Sequence, residues 1–388
     1  MATHCRLLPD TAGGRNGCLF VSHWRNPRAD RAALQACQHR FRELLCGGCS
    51  GRCGNPALAY DQAAHYASEE TASAAGVDYR YFYYPPVFLL LCAAFARLPY
   101  LAAFLVFEAA TLLCYLIVAR RILHARGASV FLPLLAFPAV FWTLGLGQNA
   151  FLTAALFGAA TVSIDRRPIL AGLLFGVLCY KPHFGLLVPI ALLAGHHWRA
   201  LGAAFASAAA LCAFSLVLFG WETWHAFLAA AVGSHATYES GAITFGGLVS
   251  PFGAVLLLGG SRAAAYAVQT GATVISGMLV FIVWHRGFRL PVRAATLAAA
   301  TLVAIPVVLI YDLMLAAIAA AWLVRDKGGL SARETVALAS FFVLTLDPCG
   351  IAQAWHVPVA PVAALGMVAL VAVHAFRTNA STVRYVTA

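Results

Sequence analysis

The chain has 388 residues, 62% of them hydrophobic and only 11% charged, and its mean hydropathy is +0.80. This balance excludes an ordinary soluble domain, in which about half of the residues are apolar and about a quarter are charged. The 26 Lys and Arg residues outnumber the 15 Asp and Glu residues, but they are concentrated in short turns between apolar runs, as topology signals are. The composition therefore predicts an all-α integral membrane protein with no nucleic-acid partner.

Residues 1–53 do not share this composition. They contain six of the eleven cysteines, and no apolar run approaches the roughly 20 residues that a spanning helix needs. A zinc cluster is one reading, because Cys46 and Cys49 have CxxC spacing beside Cys37, His39 and Cys53. No second well-spaced pair and no hydrophobic core accompany them, so we predict no metal site and expect this region to be disordered.

Residues 54–86 are moderately polar and are predicted to form an extracytoplasmic loop, which contains Asp61. The loop ends in four consecutive aromatic residues at 81–84, followed by Pro85 and Pro86, a pattern typical of an interfacial belt. Tyr84 is therefore either a plain aromatic anchor or a substrate contact, and the sequence leaves both readings open.

Apolar segments then follow one another with little interruption over residues 87–376, the predicted transmembrane domain. Several are shorter than a full span, which indicates broken or re-entrant helices. The pattern predicts a polytopic helical bundle of about 10–12 membrane segments. The predicted segments are a half-length helix at 86–98 and membrane segments at 100–120, 129–146, 150–164, 168–180, 183–195, 200–220, 263–284, 291–309, 312–325, 335–347 and 357–376.

Polar residues interrupt the apolar pattern at both ends of residues 145–183. Gln148-Asn149 precede one short apolar segment and Lys181-Pro182-His183 follow the next, so a charged turn at 165–168 places both polar clusters at one membrane face. A lysine at the bilayer centre costs about 2.5–3.5 kcal/mol, and such a residue usually faces an anion or a wet cavity. The alternative is that Lys181 marks a helix end and extends to the lipid headgroups while Pro182 breaks the helix.

Asp312 is the second isolated charge, with Tyr311 before it and apolar residues on both sides. A lone carboxylate at membrane depth is a candidate functional residue. The alternative is a carboxylate at a helix N-terminus, stabilised by the helix dipole just after the break at Pro306.

The basic turns predict the orientation of the chain. They fall on one side of the membrane if the segments alternate, and their excess of Lys and Arg predicts that this side is the cytoplasm, which also receives a C-terminal tail at 377–388. The extracytoplasmic face would then collect the polar clusters. It would also receive a long loop at 221–250, predicted to lie along the interface as an amphipathic stretch.

Four stretches carry a family resemblance. In chain order they are GNPALAYD with YFYYPPVFLLLCAAFARLP, then GQNAFLTAALFGAA, then AGLLFGVLCYKPHFGLLVPIALLAG with HHWRAL, and the IP and YDLML residues of 305–315. From Gly54 to Val324 the chain resembles the polyprenyl-phosphate-dependent glycosyltransferases of family 87, which include bacterial mannosyl- and arabinosyl-transferases of GT-C fold.

The resemblance implies a GT-C-like bundle in the bacterial inner membrane that catalyses an inverting transfer at its extracytoplasmic face. A sugar leaves a polyprenyl phosphate, and an acceptor hydroxyl of a glycan or glycolipid attacks it. Membrane lipid, the lipid-linked donor and this acceptor would be the partners, and no cofactor is implied. The implied substrate-binding residues are Tyr84, Gln148, Asn149, Lys181, His183, Tyr311 and Asp312, with Lys181 and His183 suited to the phosphate.

The chain departs from the family pattern at its N-terminus. The family usually has a spanning helix and a D-F-x-x-F-W/Y-A-A motif, whose aspartate is the expected general base, before the GNPALAYD-like stretch. This chain has HRFRELLCGG there, and codons for Arg40 to Gly48 read one base later permit Asp-Phe-Val-Asn-Phe-Tyr-Ala-Ala. We interpret residues 1–53 as a frameshifted translation, which leaves Asp61 and Asp312 as the candidate catalytic bases. Two other functions stay open: a non-catalytic membrane subunit or pseudoenzyme, and a transporter of lipid or solute.

Overall fold

The computed structural model describes residues 55–72, 82–125, 127–239 and 244–386. The zinc alternative, the expected disorder and the frameshift interpretation concern residues 1–53, which lie outside the described residues. Over the described residues the chain forms sixteen α-helices and no strand. These are α1 Gln62–Ala72, α2 Pro86–Phe95, α3 Tyr100–Leu123, α4 Phe131–Leu135, α5 Pro138–Leu146, α6 Ala150–Ser163, α7 Pro168–Val177, α8 Val188–Ala194, α9 Trp198–Glu239, α10 Pro251–Leu257, α11 Arg262–His285, α12 Leu290–Ala304, α13 Met314–Arg325, α14 Ala332–Leu344, α15 Pro348–Trp355 and α16 Val359–Val386.

Short 3₁₀ turns connect or extend several helices. Two of them shape the candidate site: one follows α7 without a gap and the other leads into α13. The 3₁₀ turns are Pro56–Tyr60, Ala128–Val130, Leu178–Tyr180, Pro182–Gly185, Phe245–Gly247 and Ile310–Leu313.

Four of the described helices are long and apolar enough to cross a membrane on their own: α3, α9, α11 and α16. A fifth span results if residues 128–135 and α5, which bend by 67° at their junction, are counted together. The prediction of an all-α polytopic membrane protein is confirmed. Most of the predicted 10–12 segments are present as helices, but many are half-length, as the shortness of their apolar runs indicated.

Small residues let three helices come together in the interior. A Cβ added at Gly158 of α6 would lie 2.6 Å from a Val118 methyl group of α3 and 3.1 Å from an Ile318 methyl group of α13. The Trp322 indole, one turn further along α13, donates to the Thr161 hydroxyl of α6 at 3.2 Å. The helices α3, α6 and α13 therefore run side by side in the same direction and end at the same face of the bundle.

A second close contact joins α7 to α9. A Cβ at Gly172 or Gly176 would lie 2.1 Å or 2.4 Å from a backbone oxygen of α9, at Ala200 and Ala204 respectively. Such glycines, four residues apart on one helix face, allow two membrane helices to approach backbone to backbone. The contact fixes the position of α7, whose end carries Lys181.

Three regions differ from the prediction. Residues 221–239 are helical and not a loop, and they follow a kink in α9 at Gly220, where φ is +78°. Their amphipathic position along the interface stays a prediction. Helix α15, Pro348–Trp355, lies between the predicted segments at 335–347 and 357–376, where no helix was predicted. Helix α16 extends to Val386, so residues 377–386 of the predicted tail are helical.

Candidate functional site

The breaks between short helices bring three polar segments together. Gln148 and Asn149 lie at the turn between α5 and α6, and Lys181 lies between the 3₁₀ turns that follow α7. The third segment is the turn Ile310–Leu313 before α13, which packs against α5. All three segments are ends of helices inside the bundle. The helices are interrupted at this depth, and polar side chains lie at the breaks.

Lys181 and Asp312 form a buried ion pair. Lys181 Nζ lies 2.7 Å from Asp312 Oδ1, and the two side chains are 5% and 3% exposed. The predicted alternative, in which Lys181 extends to the headgroups, is wrong, although the residue does lie at a helix end as that reading stated. An unpaired charge at this depth would carry a large desolvation cost, and the partner offsets it.

Asp312 also satisfies its other predicted role. Its second oxygen, Oδ2, accepts a hydrogen bond from the backbone N–H of Leu309 at 3.2 Å. The carboxylate thus caps the turn at residues 310–313 and holds Lys181 at the same time, so the two readings of Asp312 describe one arrangement. A carboxylate with both oxygens engaged is well placed to fix the position of the ammonium group.

Aromatic rings enclose the ammonium group. Lys181 Nζ lies 5.0 Å from the ring centre of Phe184 and 5.2 Å from that of Tyr311. Ring faces attract a cation, and they do so more strongly away from water. Phe184 was missed by the sequence analysis, and its only signal is its position three residues after Lys181.

A stack of rings connects Gln148 to the lysine. The Tyr84 hydroxyl donates to Gln148 Oε1 at 3.3 Å, and the Tyr84 ring lies 4.6 Å from that of Phe88. Phe88 in turn stacks on Tyr180 at 5.1 Å, next to Lys181 in the chain. Tyr84 is therefore an internal contact of the site and not a headgroup anchor. Phe88 and Tyr180, which complete the stack, were not predicted.

Asn149 is buried without a hydrogen-bond partner. It is fully inaccessible, and neither its Oδ1 nor its Nδ2 has a partner among the residues that the structure describes. Leaving a buried polar group unsatisfied costs about 1–3 kcal/mol, so such a group is expected to meet a ligand or a water molecule. Asn149 is thus the side chain of the site with an unused capacity for binding.

Two predicted site residues do not join this cluster. Asp61 is exposed at the start of α1, where its Oδ1 accepts from the N–H of Ala64 at 2.9 Å. His183 is exposed as well, with its ring 4.8 Å from that of Phe184. Only Tyr84, Gln148, Asn149, Lys181, Tyr311 and Asp312 of the predicted set are buried near one another.

One further carboxylate is buried in the bundle. Glu108 of α3 is 3% exposed, and neither of its oxygens has a partner within the described parts of the chain. It is on the buried face of α3 together with Thr111 and Tyr115. No contact links it to Lys181, and the sequence analysis did not select it. Across the same described residues, no group of three or more His, Cys, Asp or Glu side chains is placed to hold a metal ion.

The arrangement offers a fixed cation and neutral hydrogen-bonding groups at one internal site. This combination suits a ligand that has a phosphate next to hydroxyl groups, because a cation stabilises the phosphate and amides pair with hydroxyls.

The model of the family described as glycosyltransferase family 87 matches residues 82–311, which is more than half of the chain. No curated protein and no solved structure matches the chain. The matched segment contains five of the six buried residues of the site, and the sixth, Asp312, follows it directly. The chain belongs to glycosyltransferase family 87.

Proposed function

We propose that this membrane glycosyltransferase moves a sugar from a polyprenyl phosphate to an acceptor hydroxyl at the extracytoplasmic face. The observation that carries the proposal is the buried Lys181–Asp312 pair, at 2.7 Å, beside the unsatisfied Asn149. The bacterial inner membrane is the proposed location and a glycan or glycolipid is the proposed acceptor. A GT-C architecture is part of the same proposal.

The reaction needs the bond between the anomeric carbon and the phosphate oxygen to break while a new bond forms to the acceptor oxygen. Polyprenyl phosphate leaves with the electron pair, and the acceptor hydroxyl gives its proton to a base. Lys181 is proposed to bind the phosphate and to stabilise the charge that develops on it, since a fixed cation in a site without bulk water is effective there. Asp312 is a positioning residue that holds the ammonium group.

Gln148 and Asn149 are proposed to bind hydroxyls of the transferred sugar. Tyr84 orients Gln148 through its 3.3 Å hydrogen bond, and Tyr311 limits the space around the cation. His183, at the exposed side of the same turn, is proposed to contact the lipid phosphate as it enters. The base is not assigned to Asp61, which caps α1, because that carboxylate is exposed away from the cluster.

The experiment is transfer by the purified chain in proteoliposomes, supplied with polyprenyl-phosphate mannose or arabinose and with glycolipid acceptors. A Lys181→Met variant leaves Asp312 buried and unpaired, so it is expected to fold poorly. The informative variant is Lys181→Met/Asp312→Leu, which removes the pair without leaving a charge. We expect it to fold and to lose at least about 100-fold in kcat, comparable to the loss of one electrostatic group in other enzymes.

A matched control is Arg262→Met/Glu239→Leu, which removes an ion pair of 3.1 Å on the surface. Exposed pairs contribute about 0–1 kcal/mol, so transfer should stay near the wild-type rate. If the Lys181/Asp312 double variant transfers sugar as fast as this control, the pair is purely structural and the proposal fails.

A non-catalytic role is the second candidate function. It is favoured by the engagement of both Asp312 oxygens, which leaves no carboxylate of the predicted set free to act as a base within the described site. A pseudoenzyme would bind polyprenyl phosphate through Lys181 and transfer no sugar. Binding without turnover in the wild-type chain, for every donor and acceptor pair, would establish this role instead.

A further inference from the structure

Three parallel helices end together at the face opposite the candidate site. Around Gly158, α6 touches α3 and α13, and each of these helices ends within one to two turns of that contact. The residues at or just beyond these ends are His124 after α3, Arg166 after α6 and Arg325 at the end of α13. We call His124, Arg166 and Arg325 the basic cradle.

The carboxylates next to the cradle point away from it. Asp165 precedes Arg166 in the chain, yet both of its oxygens accept from Arg293, at 2.9 and 3.0 Å. Asp326 follows Arg325, yet its Oδ2 accepts from Arg289 at 2.7 Å and faces the His374 ring. In each pair of neighbours in the chain, Asp165–Arg166 and Arg325–Asp326, the carboxylate is therefore engaged by another arginine and does not pair with its neighbour.

No carboxylate in the described part of the chain pairs with Arg166 or Arg325. The Arg325 guanidinium lies 4.8 Å from the Trp322 ring. Arg166 makes no ion pair with any described residue, since its neighbour Asp165 pairs with Arg293. The charge of Arg325, together with partial burial and the charge of Arg166, lowers the pKa of His124, so this ring lies within the field of both arginines. Three helix C-termini supply about half a negative charge each, but Arg121 on the last turn of α3 adds a third cation to Arg166 and Arg325. An excess of positive charge remains.

Exposed apolar side chains border the cradle. Ile169 lies three residues after Arg166 and is 57% exposed, and Val324 lies next to Arg325 and is 54% exposed. Ile117, on the last two turns of α3, is 44% exposed. A soluble anion gains nothing from such neighbours, whereas a lipid has both a phosphate and acyl chains, and basic pockets between membrane helices bind such headgroups.

We infer that the basic cradle of His124, Arg166 and Arg325 binds the phosphate of an anionic phospholipid whose acyl chains lie along Ile117, Ile169 and Val324. The lipid supplies a negative charge to the cradle, since Asp165 and Asp326 pair with other arginines, and it joins the ends of α3, α6 and α13. This site is separate from the proposed transfer site and does not depend on its chemistry.

The test is native mass spectrometry of the full chain with added phosphatidylglycerol or phosphatidylcholine. Wild type should retain phosphatidylglycerol selectively, and Arg166→Gln/Arg325→Gln should weaken that binding by roughly five-fold for each arginine removed. The control is Arg286→Gln/Arg333→Gln, which removes two exposed cations elsewhere on the same face. Because salt screens exposed charges, this variant should change the binding by less than about two-fold. The single variant Arg166→Gln, at an exposed turn, covers the case in which the double variant does not fold.

Two results overturn the inference. Equal losses in the cradle and control variants would mean that lipid follows total charge and not the cradle. Inorganic phosphate alone, if it displaces phosphatidylglycerol or stabilises the chain as well as the lipid does, would assign the cradle to a soluble phosphate.

Discussion

Asn149 is an unsatisfied polar residue in the interior of the bundle. Its amide is fully buried and lacks a partner in the described chain, while the hydroxyl of Thr153, one turn later, bonds to Tyr180 at 2.7 Å. The Thr153 hydroxyl therefore joins α6 to the turn that follows α7, whereas the Asn149 amide, just before α6, is the group proposed to bind a ligand. The difference leads to a trade-off between stability and activity.

We predict that Asn149→Leu stabilises the empty protein by about 1–2 kcal/mol, because an apolar group of similar shape removes an unsatisfied polar group. The same change should reduce sugar transfer at least about ten-fold, since one hydrogen bond to the sugar is lost. Chemical denaturation in detergent and the transfer assay measure the two effects. Thr143→Val serves as the control, because the Thr143 hydroxyl bonds only within its own helix, to Ala139 at 2.7 Å. A loss of stability in Asn149→Leu would show that the amide is satisfied within the protein.

At the scale of helices, the seam between α7 and α9 determines where Lys181 lies. We predict that Gly176→Ala lowers the free energy of unfolding by about 1–3 kcal/mol, because its Cβ would meet backbone that cannot yield without separating the helices. The added atom would lie 2.4 Å from the Ala204 oxygen and 2.6 Å from the Ser207 Cβ. Denaturation in detergent measures the change, and transfer should fall with it.

Gly202→Ala is the matched control for this substitution. Gly202 lies on the exposed side of α9 with no atom within 4 Å of an added Cβ, so alanine should stabilise the helix by roughly 0.5–1 kcal/mol. The explanation by close packing fails if the two alanine variants change stability in the same direction.

A second group of helices is held by a polar cluster at the basic face, in which three buried groups meet two exposed arginines. It consists of Arg289, Asp326, Glu334, His374 and Arg377. Glu334 of α14 accepts from Arg377 of α16 at 2.8 and 3.1 Å, and the His374 ring lies 3.1 Å from both Glu334 and Asp326. The cluster ties α12, α14 and α16 to the end of α13, so its charges should make the stability of this region depend on pH.

We predict that this contribution to stability disappears in acid. Burial opposes ionisation of Glu334, but hydrogen bonds from the Ser331 N–H and from Arg377 prevail and lower the pKa of Glu334 from 4.5 to about 2. A lowered carboxyl pKa stabilises the folded state fully above the unfolded value, and this stabilisation is lost as the pH falls from about 4.5 to about 2. The stability difference between wild type and Glu334→Gln should therefore be largest near neutral pH and shrink below about pH 4.5. A difference that is constant from neutral pH to pH 3 would contradict the assignment.

The helices themselves could largely be predicted, because their patterns are local. The predicted segments at 150–164 and 168–180 correspond to α6 and to α7 with the 3₁₀ turn that follows it. The predicted single segment at 129–146 is wrong in one respect, because the chain bends by 67° between α4 and α5, just before Pro138. The continuation of α9 past Gly220 was missed, since the polar residues of 221–239 were taken as a loop. In this helix Phe227 packs against Tyr60 and Trp224, whereas Trp221 and Val232 are exposed.

The contacts within the site could not be predicted in the same way. The sequence singled out Lys181 and Asp312 separately, but their pairing joins residues 131 positions apart and depends on how α7, α5 and α13 pack. Likewise, the sequence located the basic turns without indicating that Asp165 pairs with Arg293 across 128 positions. Individual unusual residues are visible in sequence, whereas their partners are a result of tertiary structure.

At the scale of the whole molecule, the described helices include a long one that is largely exposed, α9, and a short one that is largely buried, α12. The spanning part of α9 is only 6% buried, whereas α12, with 15 residues, has most of its side chains buried. A half-length helix cannot expose its ends to lipid, since its free backbone groups would be unsatisfied, but it can end inside a ring of long helices. This arrangement allows polar turns such as 147–149 and 310–313 at membrane depth.

The same arrangement gives the molecule two distinct faces, and we predict that the basic face is cytoplasmic. The turns that contain Arg120, Arg166, Arg286 and Lys327 share this face, as does the end of α16, and such an excess of cations in short turns is retained in the cytoplasm. A fluorescent protein fused to the C-terminus should therefore fluoresce, and alkaline phosphatase fused there should be inactive.

The opposite face can be examined at the turn between α10 and α11. Gly259, with φ at +77°, and Gly260 form an exposed turn, and such turns tolerate insertions. An epitope inserted between them should bind antibody on cells whose outer barrier is opened but whose inner membrane is intact. The same epitope at the C-terminus should bind only after the inner membrane is permeabilised. The reverse pattern would place Lys181 toward the cytoplasm, where a nucleotide-linked sugar rather than a lipid-linked donor would be available to the site.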